Sequence, residues 1–402
     1  MQQAQPGHID HIKRNNLGSV YKLIDLFGPI SRIELSKQSA LAPASITKIS
    51  RELIEANLVQ EAECQESGTR GRPATGLVVS ENQKQILSLR LGRGYLTIAL
   101  HELSGAILVE QHRDIEQIEE QALLTRLCYE INMFFTRYNA EVTEVCAIAI
   151  TLPGQIDSLR GIVHQMPHYQ VSNFHLAELL FQEINIPVFI DNDIQAWALA
   201  ERLFGHTKDV DNTLLISAHH GVGAGIILDG RVLRSGTGNL GELGHMQIEP
   251  NGKRCYCGNI GCLDTVVNWE NVENKVKKAI KEGQSTVLTS RSINIDNICY
   301  AAKEGDVLCV SVIQELGEYL GKAIAMMVNI FNPDKILIGG EYNIAKKILY
   351  SSIMKSVKEQ ALPFFTENLE IAQTDFYTES SMAGAALVKQ RLYDGDLLVE
   401  LL

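Results

Sequence analysis

Gly241-Glu242-Leu243-Gly244-His245 is followed by Cys255-Tyr256-Cys257-Gly258 and then by Gly261-Cys262, so one histidine and three cysteines fall within eighteen residues. Zinc takes four nitrogen and sulfur ligands in a tetrahedron, and glycines at 258 and 261 let the chain curl back around an ion. With no position left for water, His245, Cys255, Cys257 and Cys262 point to one structural zinc per chain. The alternatives are a buried cysteine cluster or a redox pair, but Cys255 and Cys257 stand one residue apart, unlike the CxxC of thioredoxin-like enzymes. Such a knuckle would fix Glu242 and His245 relative to the neighbouring loops. The other five of eight cysteines, Cys64, Cys128, Cys146, Cys299 and Cys309, read as small buried hydrophobes.

A second chemistry-bearing set lies near the N-terminus, on elements the sequence patterns clearly. Leu17, Val20, Leu23, Ile24 and Phe27 have the spacing of a helix with one buried face, which Gly28-Pro29 ends. Ser31 with Glu34 three residues on is a capping-box pattern opening a short second helix, with Ile33 and Leu35 turned inward. A third helix opens near Pro43, buries Ile46, Ile49 and Leu53, and ends about Asn57. Its other face carries Ser45, Thr47, Lys48 and Arg51, residue types that contact base edges and phosphates in a major groove. A bare three-helix bundle with a solvated polar face would show the same pattern.

The segment after that helix favours DNA. Leu58-Val59 and Gly76 to Val79 read as two strands flanking a loop, which makes the unit, residues 1–82, a winged helix-turn-helix. The loop holds Arg70 and Arg72 around Gly71, suited to a narrow, strongly negative minor groove, so the expected target is double-stranded DNA with AT-rich flanks.

Composition and charge set the frame. Of 402 residues 45% are hydrophobic and 21% charged, as in a soluble globular protein of more than one domain. A net charge of -12 excludes a chain built wholly to grip nucleic acid. Residues 1–80, with nine Lys and Arg against eight Asp and Glu, are the exception at +1, which leaves a separate acidic body at -13. The polar N-terminus lacks a secretory pattern, and Ala323 to Gly340 is interrupted by Asn329, Asn332, Pro333, Asp334 and Lys335; a cytoplasmic protein is expected.

The run Glu242-x-Gly244-His245 with Cys255-x-Cys257-Gly258-x-x-Gly261-Cys262 resembles the ROK family of bacterial repressors, open reading frames and sugar kinases, and the resemblance extends over essentially the whole chain. It implies an α/β fold, an actin-like body of sugar-kinase or ribonuclease H type, with a first lobe at 83–195 plus 382–402 and a second at 196–381 carrying the zinc knuckle and the dimerisation surface. Leu87 to Leu100 and Ile107 to Gln111 as strands, Ala122 to Tyr138 as a helix, Val145 to Leu152 as a strand and Met382 to Leu392 as a late helix suit that picture.

Two kinase loops of the family are altered here. Its Asp-x-Gly-Gly-Thr phosphate loop matches Arg90, Gly92, Arg93 and Gly94, so the carboxylate that supports magnesium is replaced by a cation. Its Gly-Thr-Gly-x-Gly-Gly-Gly run matches His219-His220-Gly221-Val222-Gly223-Ala224-Gly225, where the histidines and Ala224 are expected to crowd the nucleotide phosphates. No catalytic residue is therefore assigned. The family's sugar contacts match Asn192, Asp193, Glu242 and His245, with Asp264 standing where many members have Glu, so a sugar or sugar phosphate is a candidate ligand. Asp191, Asn192 and Asp193 also suit a plain helix cap before Trp197.

The resemblance further implies a repressor of sugar uptake and utilisation genes, a homodimer or tetramer on an inverted repeat. One group of such repressors is sequestered by the glucose-specific transporter of the phosphotransferase system; others respond to an amino-sugar phosphate or a pentose. Met133-Phe134-Phe135 cannot all turn inward from one helix, which makes Phe134 and Phe135 the candidate partner surface. The C-terminal Leu397-Leu398-Val399-Glu400-Leu401-Leu402 is a second apolar segment. An active kinase with an added DNA-binding arm is the remaining rival, and Arg90 opposes it.

Overall fold

Helix α1 (Pro6–Phe27) buries Leu17, Val20, Tyr21 and Ile24. It stops at Pro29, which has no N–H to continue the ladder. After the short strand β1 (Ile30–Ser31), the Ser31 hydroxyl accepts the Glu34 N–H at 3.2 Å and opens α2 (Arg32–Ser39). Ile33, expected inward with Leu35, is instead 66% exposed while Leu35 is 0% exposed. Residues two apart on a helix do not share a face.

Helix α3 (Pro43–Glu55) buries Ile46, Ile49 and Leu53. It gives way to Asn57 in the left-handed region at φ 58°. Strands β2 (Val59–Cys64) and β3 (Ala74–Val79) pair antiparallel, and β1 adds to the far edge of β3. Three helices and this small sheet follow the element order expected of a winged helix-turn-helix. The computed structural model describes residues 6–64, 74–116, 120–166, 169–235, 240–377 and 380–402.

The following chain builds a five-stranded sheet. Strands β4 (Gln85–Leu91), β5 (Tyr95–Glu102) and β6 (Ile107–Asp114) form an antiparallel meander. The expected single strand from Leu87 to Leu100 is thus two strands, broken at Gly92-Arg93-Gly94, where Gly94 takes φ 87°. Helix α4 (Glu120–Arg137) leads to β7 (Val145–Leu152), parallel to β4. A three-stranded sheet of β8 (Gln155–Asp157), β9 (Ile162–Met166) and β10 (Val171–Phe174) comes next. Then α5 (Leu176–Ile184) returns the chain to β11 (Val188–Asn192), parallel to β7. The order is β11-β7-β4-β5-β6, and Leu87, Leu89, Ile98, Leu127, Ile148 and Ile150 fill its core at 0% exposure.

The second unit, Asp193–Ser380, repeats the plan. Helix α6 (Asp193–Leu203) precedes a meander of β12 (Thr213–Ala218), β13 (Val222–Leu228) and β14 (Arg231–Val232). After α7 (Asp264–Val267), α8 (Trp269–Lys281), α9 (Ile295–Lys303) and α10 (Val307–Phe331) comes β15 (Lys335–Gly339), parallel to β12. Helices α11 (Lys346–Gln360) and α12 (Pro363–Thr366) then lead to the edge strand β16 (Glu370–Gln373). The order β14-β13-β12-β15-β16 has the same pattern of turns and crossovers as the first sheet. No helix among the described residues is long and apolar enough to cross a membrane.

The chain ends with α13 (Met382–Tyr393) and α14 (Asp396–Leu401), which belong to the first unit together with the winged helix. Small residues let α13 lie directly on the sheet: a side chain at Gly384 would come within 2.1 Å of Ser88 Oγ. Leu397 and Leu398 are buried, so the apolar tail packs onto its own unit, with Val399 and Leu402 left at the surface.

Close approach also governs the second unit, where Cβ atoms added at Gly317 and Gly321 of α10 would lie 2.6 Å from the Cβ atoms of Ser352 and Ser356 on α11. Gly321→Val is expected to force these helices apart and destabilise the chain by about 1–3 kcal/mol. An unchanged denaturant midpoint would show that α10 and α11 do not pack through this contact.

Candidate functional site

The knuckle is built by hairpin turns that only glycine permits. Gly258 takes φ 97°, and the Cys255 N–H and Gly258 N–H close a tight turn on Asn259 O and Cys255 O at 2.8 and 3.0 Å. A Cβ on Gly261 would overlap Glu249 O at 1.6 Å. Tyr319 of α10 donates its hydroxyl to Glu249, tying the loop to the core of its unit.

Together these turns bring His245, Cys255, Cys257 and Cys262 to one point, with all donor atoms within 4.8 Å of one another. Cys257 Sγ and Cys262 Sγ are 3.7 Å apart, as are Cys255 Sγ and His245 Nδ1. Tetrahedral coordination at zinc–sulfur distances of about 2.3 Å requires sulfurs about 3.8 Å apart, so the cage fits such an ion. His245 Nε2 meets Tyr256 Oη at 3.1 Å, which leaves Nδ1 as the ligand nitrogen. Burial raises the Cys255 thiol and pushes Cys262 up to about 12, while the Asn259 N–H draws Cys257 down. An incoming cation must therefore displace protons from this set.

A second cluster, Glu201, His206 and Asp375, has a different character. Glu201 is buried and accepts the N–H groups of Phe376 and His206 at 3.0 and 3.2 Å, and His206 Nδ1 pairs with Asp375 at 2.8 Å. Its carboxylate fastens two loops together.

On the winged helix, Thr47, Lys48 and Arg51 are exposed along α3, with Ser45 half-buried beside them. Thr47 Oγ1 donates to Pro43 O at 2.9 Å. Lys48 and Arg51 rest on Glu52 and Glu55 at 3.9 and 3.7 Å, exposed pairs that phosphates can readily replace. Arg70 and Arg72 lie outside the described residues.

Side chains of the chain itself pack against both turns that match the family's phosphate loops. At the end of β4, Arg90 is buried and donates Nη1 to Leu91 O at 2.7 Å. The Tyr95 ring presses so close that a Cβ on Gly92 would lie 2.0 Å from it. Tyr169 donates its hydroxyl to Gly92 O and accepts the Gly94 N–H. At the β12–β13 turn, Trp269 stacks on His219 with ring centroids 4.8 Å apart and meets His220 at 4.4 Å. Ala224, expected to crowd the phosphates, is 1% exposed within β13 and belongs to the core; Trp269, which no motif announces, packs beside the turn with the two histidines.

The candidate sugar contacts divide between the units. Asn192 belongs to the first, where its side-chain N–H donates to Gly154 O at 3.1 Å. Asp193, Glu242, His245 and Asp264 belong to the second. Asp264 is buried at the head of α7 and accepts from Asn268 at 3.3 Å, and Glu242 is exposed. His245 would have to give up Tyr256 to meet a hydroxyl. The candidate partner surface needs correction: Phe134 is 0% exposed and packs on Tyr138, Phe135 is half-buried, and Met133 is the residue of the three at the surface. Helical rotation carries Phe134 onto the buried stripe with Leu127 and Ile131.

Residues 86–391 match the ROK family. The DNA-binding transcriptional repressor Mlc of Escherichia coli K12 is 45% identical over 401 residues, covering 100% of this chain and 99% of the relative. The DNA-binding transcriptional dual regulator NagC of the same organism is 41% identical over 400 residues, covering 100% and 98%. Among solved structures, a ROK family transcriptional regulator described as a homolog of E. coli Mlc superposes with a TM-score of 0.93 at 56% identity, covering 98% of this chain and 99% of that one.

Exchanging Cys257 for serine removes one of four soft donors and is expected to abolish metal retention through gel filtration, read by elemental analysis. Full retention in this variant would rule out the four-residue cage.

Proposed function

The chain belongs to the ROK family and is a DNA-binding transcriptional repressor of sugar genes, and we propose that its targets are those of glucose uptake and utilisation by the phosphotransferase system. The observation that carries this reading is the exposed polar face of α3, attached to a body whose two phosphate-loop turns carry Arg90 in place of the carboxylate and the packed side chains of Tyr95, Tyr169, His219, His220 and Trp269.

In this reading a cytoplasmic homodimer, or a pair of dimers, places two α3 helices in successive major grooves of an inverted repeat. Ser45, Thr47, Lys48 and Arg51 meet bases and phosphates, and Arg70 and Arg72 enter AT-rich minor grooves. One zinc per chain, held by His245, Cys255, Cys257 and Cys262, keeps the second unit in shape and leaves no position for a reacting water. Release follows when the glucose-specific transporter binds the state that does not hold DNA more tightly than the state that does. Met133, the exposed residue of the 133–135 run on α4, marks the surface proposed for it.

A second reading, release by a sugar or sugar phosphate, is favoured by the match of Asn192, Asp193, Glu242 and His245 to the family's sugar contacts, with Asp264 standing where many members have Glu. Calorimetry with a sugar panel supports this reading if heat is seen, and transporter-bearing membrane vesicles that deplete the chain from solution support the first.

Incubating the purified chain with a random duplex library and sequencing the bound fraction is expected to enrich an inverted repeat with AT-rich flanks. No enrichment, together with ATP-dependent glucose phosphorylation, would contradict the repressor reading. On the enriched duplex, Lys48→Ala should weaken binding to all sequences alike and lower the log–log salt slope by about 1. Arg70→Ala with Arg72→Ala should cost most on AT-flanked sites, and an equal loss on GC-flanked sites would contradict the minor-groove role.

A further inference from the structure

Among the described residues, two attachments join the N-terminal helices and their small sheet to the first lobe. One is covalent, because only residues 80–84 separate β3 from β4. A single short linker leaves rotation about its own axis open. The other is made by α1, whose backbone touches the turn between α13 and α14. A Cβ on Gly18 would lie 2.2 Å from Tyr393 O, and one on Gly395, at φ 82°, would lie 2.1 Å from Arg14 O. Such approach leaves no room for the helices to slide.

At the centre of this contact is a buried polar group. Lys389 of α13 meets Asp25 of α1 at 2.8 Å, with the two side chains 9% and 10% exposed. Tyr393 donates its hydroxyl to the same carboxylate, and the ammonium of Lys389 lies 6.0 Å from the Tyr393 ring centroid. At the rim Arg14 pairs with Asp396 at 2.8 Å. Buried pairs contribute little net stability compared with apolar packing, but an arrangement that separates the two partners leaves a buried charge uncompensated. The other ends of the same elements reach the functional parts: α1 packs on α2 and α3, and α13 lies on β4 and β7 of the first sheet.

We propose that Asp25, Lys389 and Tyr393 form a positioning clamp that sets the angle of α3 relative to the body. Through it α13 determines whether two copies of the chain can engage both halves of an inverted repeat. This inference rests on the repressor reading. None of the three residues is assigned a contact with DNA; they act on α3 through α1. A change of the first lobe that tilts α13 would move α3 without altering its sequence preference.

The test uses full-length Lys389→Met, Asp25→Asn and the double variant. The probes are the inverted-repeat duplex enriched by the wild-type chain and a duplex carrying one half of it. Each single variant is expected to bind the inverted repeat about 10- to 100-fold more weakly and the half-site within about twofold of wild type. The double variant should be no weaker than the weaker single, since both changes remove one contact. Hydrogen exchange should quicken in residues 17–27 and 383–393, with β4, β7 and metal content unchanged. Unaltered binding to the inverted repeat, equal losses on repeat and half-site, or losses without faster exchange in α1 would each overturn the clamp. If the wild-type chain enriches no duplex, the repressor reading fails instead, and unchanged exchange in the variants would still overturn the clamp.

Discussion

The seating of α1 on the α13–α14 turn decides what the winged helix can do. The apolar stripe of Leu17, Val20, Tyr21 and Ile24 is buried, and its Tyr21 already meets the Tyr393 ring at 6.4 Å between centroids. Gly18 and Asp25 give it a second face, which meets Tyr393 and Lys389 from the last residues of the chain. The DNA-binding arm and the first lobe therefore form one unit, held by Asp25 and Lys389, which stand 364 positions apart. Buried charge favours this arrangement over neighbouring ones by the cost of leaving either partner alone.

With the arm fixed, the body has been turned from chemistry to support. Both sheets keep the strand order and crossovers of their fold, and both keep their turns at the ends of the first strands. The contents of those turns differ from what phosphoryl transfer requires. Positioning and charge stabilisation around a bound nucleotide need open backbone N–H groups and a carboxylate for the cation. Arg90 and Tyr95 in one turn, and the stack of His219, His220 and Trp269 in the other, supply neither. The cluster of His245, Cys255, Cys257 and Cys262 belongs to the same pattern, because its four protein donors would close the coordination sphere of an ion.

Much of this was legible in the residues. Periodicity and capping gave α2, α3 and the end of α1, since Pro29, Ser31 and Pro43 act locally through backbone donors and fixed φ. The helix read from Asn16, however, begins ten residues earlier, at Pro6, in a polar stretch without an apolar period. The cage was legible because soft donors at short spacing leave few geometric choices. Long-range packing was not. Ile33 and Phe134 are equally apolar in sequence, but the rotation of each helix against its neighbours puts the first outside and the second inside. Trp269 lies 49 positions after His220 and reaches it only through tertiary folding, and the pairing of Asp25 with Lys389 leaves no periodic trace at all. The break at Gly92 to Gly94 was masked by the apolar runs on either side, which read as one strand.

The central claim is that a sugar-kinase fold here serves transcription, with the side chains at its nucleotide turns unsuited to holding magnesium ATP. Calorimetric titration of the metal-loaded, full-length chain with magnesium ATP, with and without saturating glucose, tests this without depending on turnover. The account predicts no heat beyond dilution in either case. Saturable binding at micromolar nucleotide would mean that Tyr95, Tyr169 and Trp269 give way to phosphate, and the claim would be wrong.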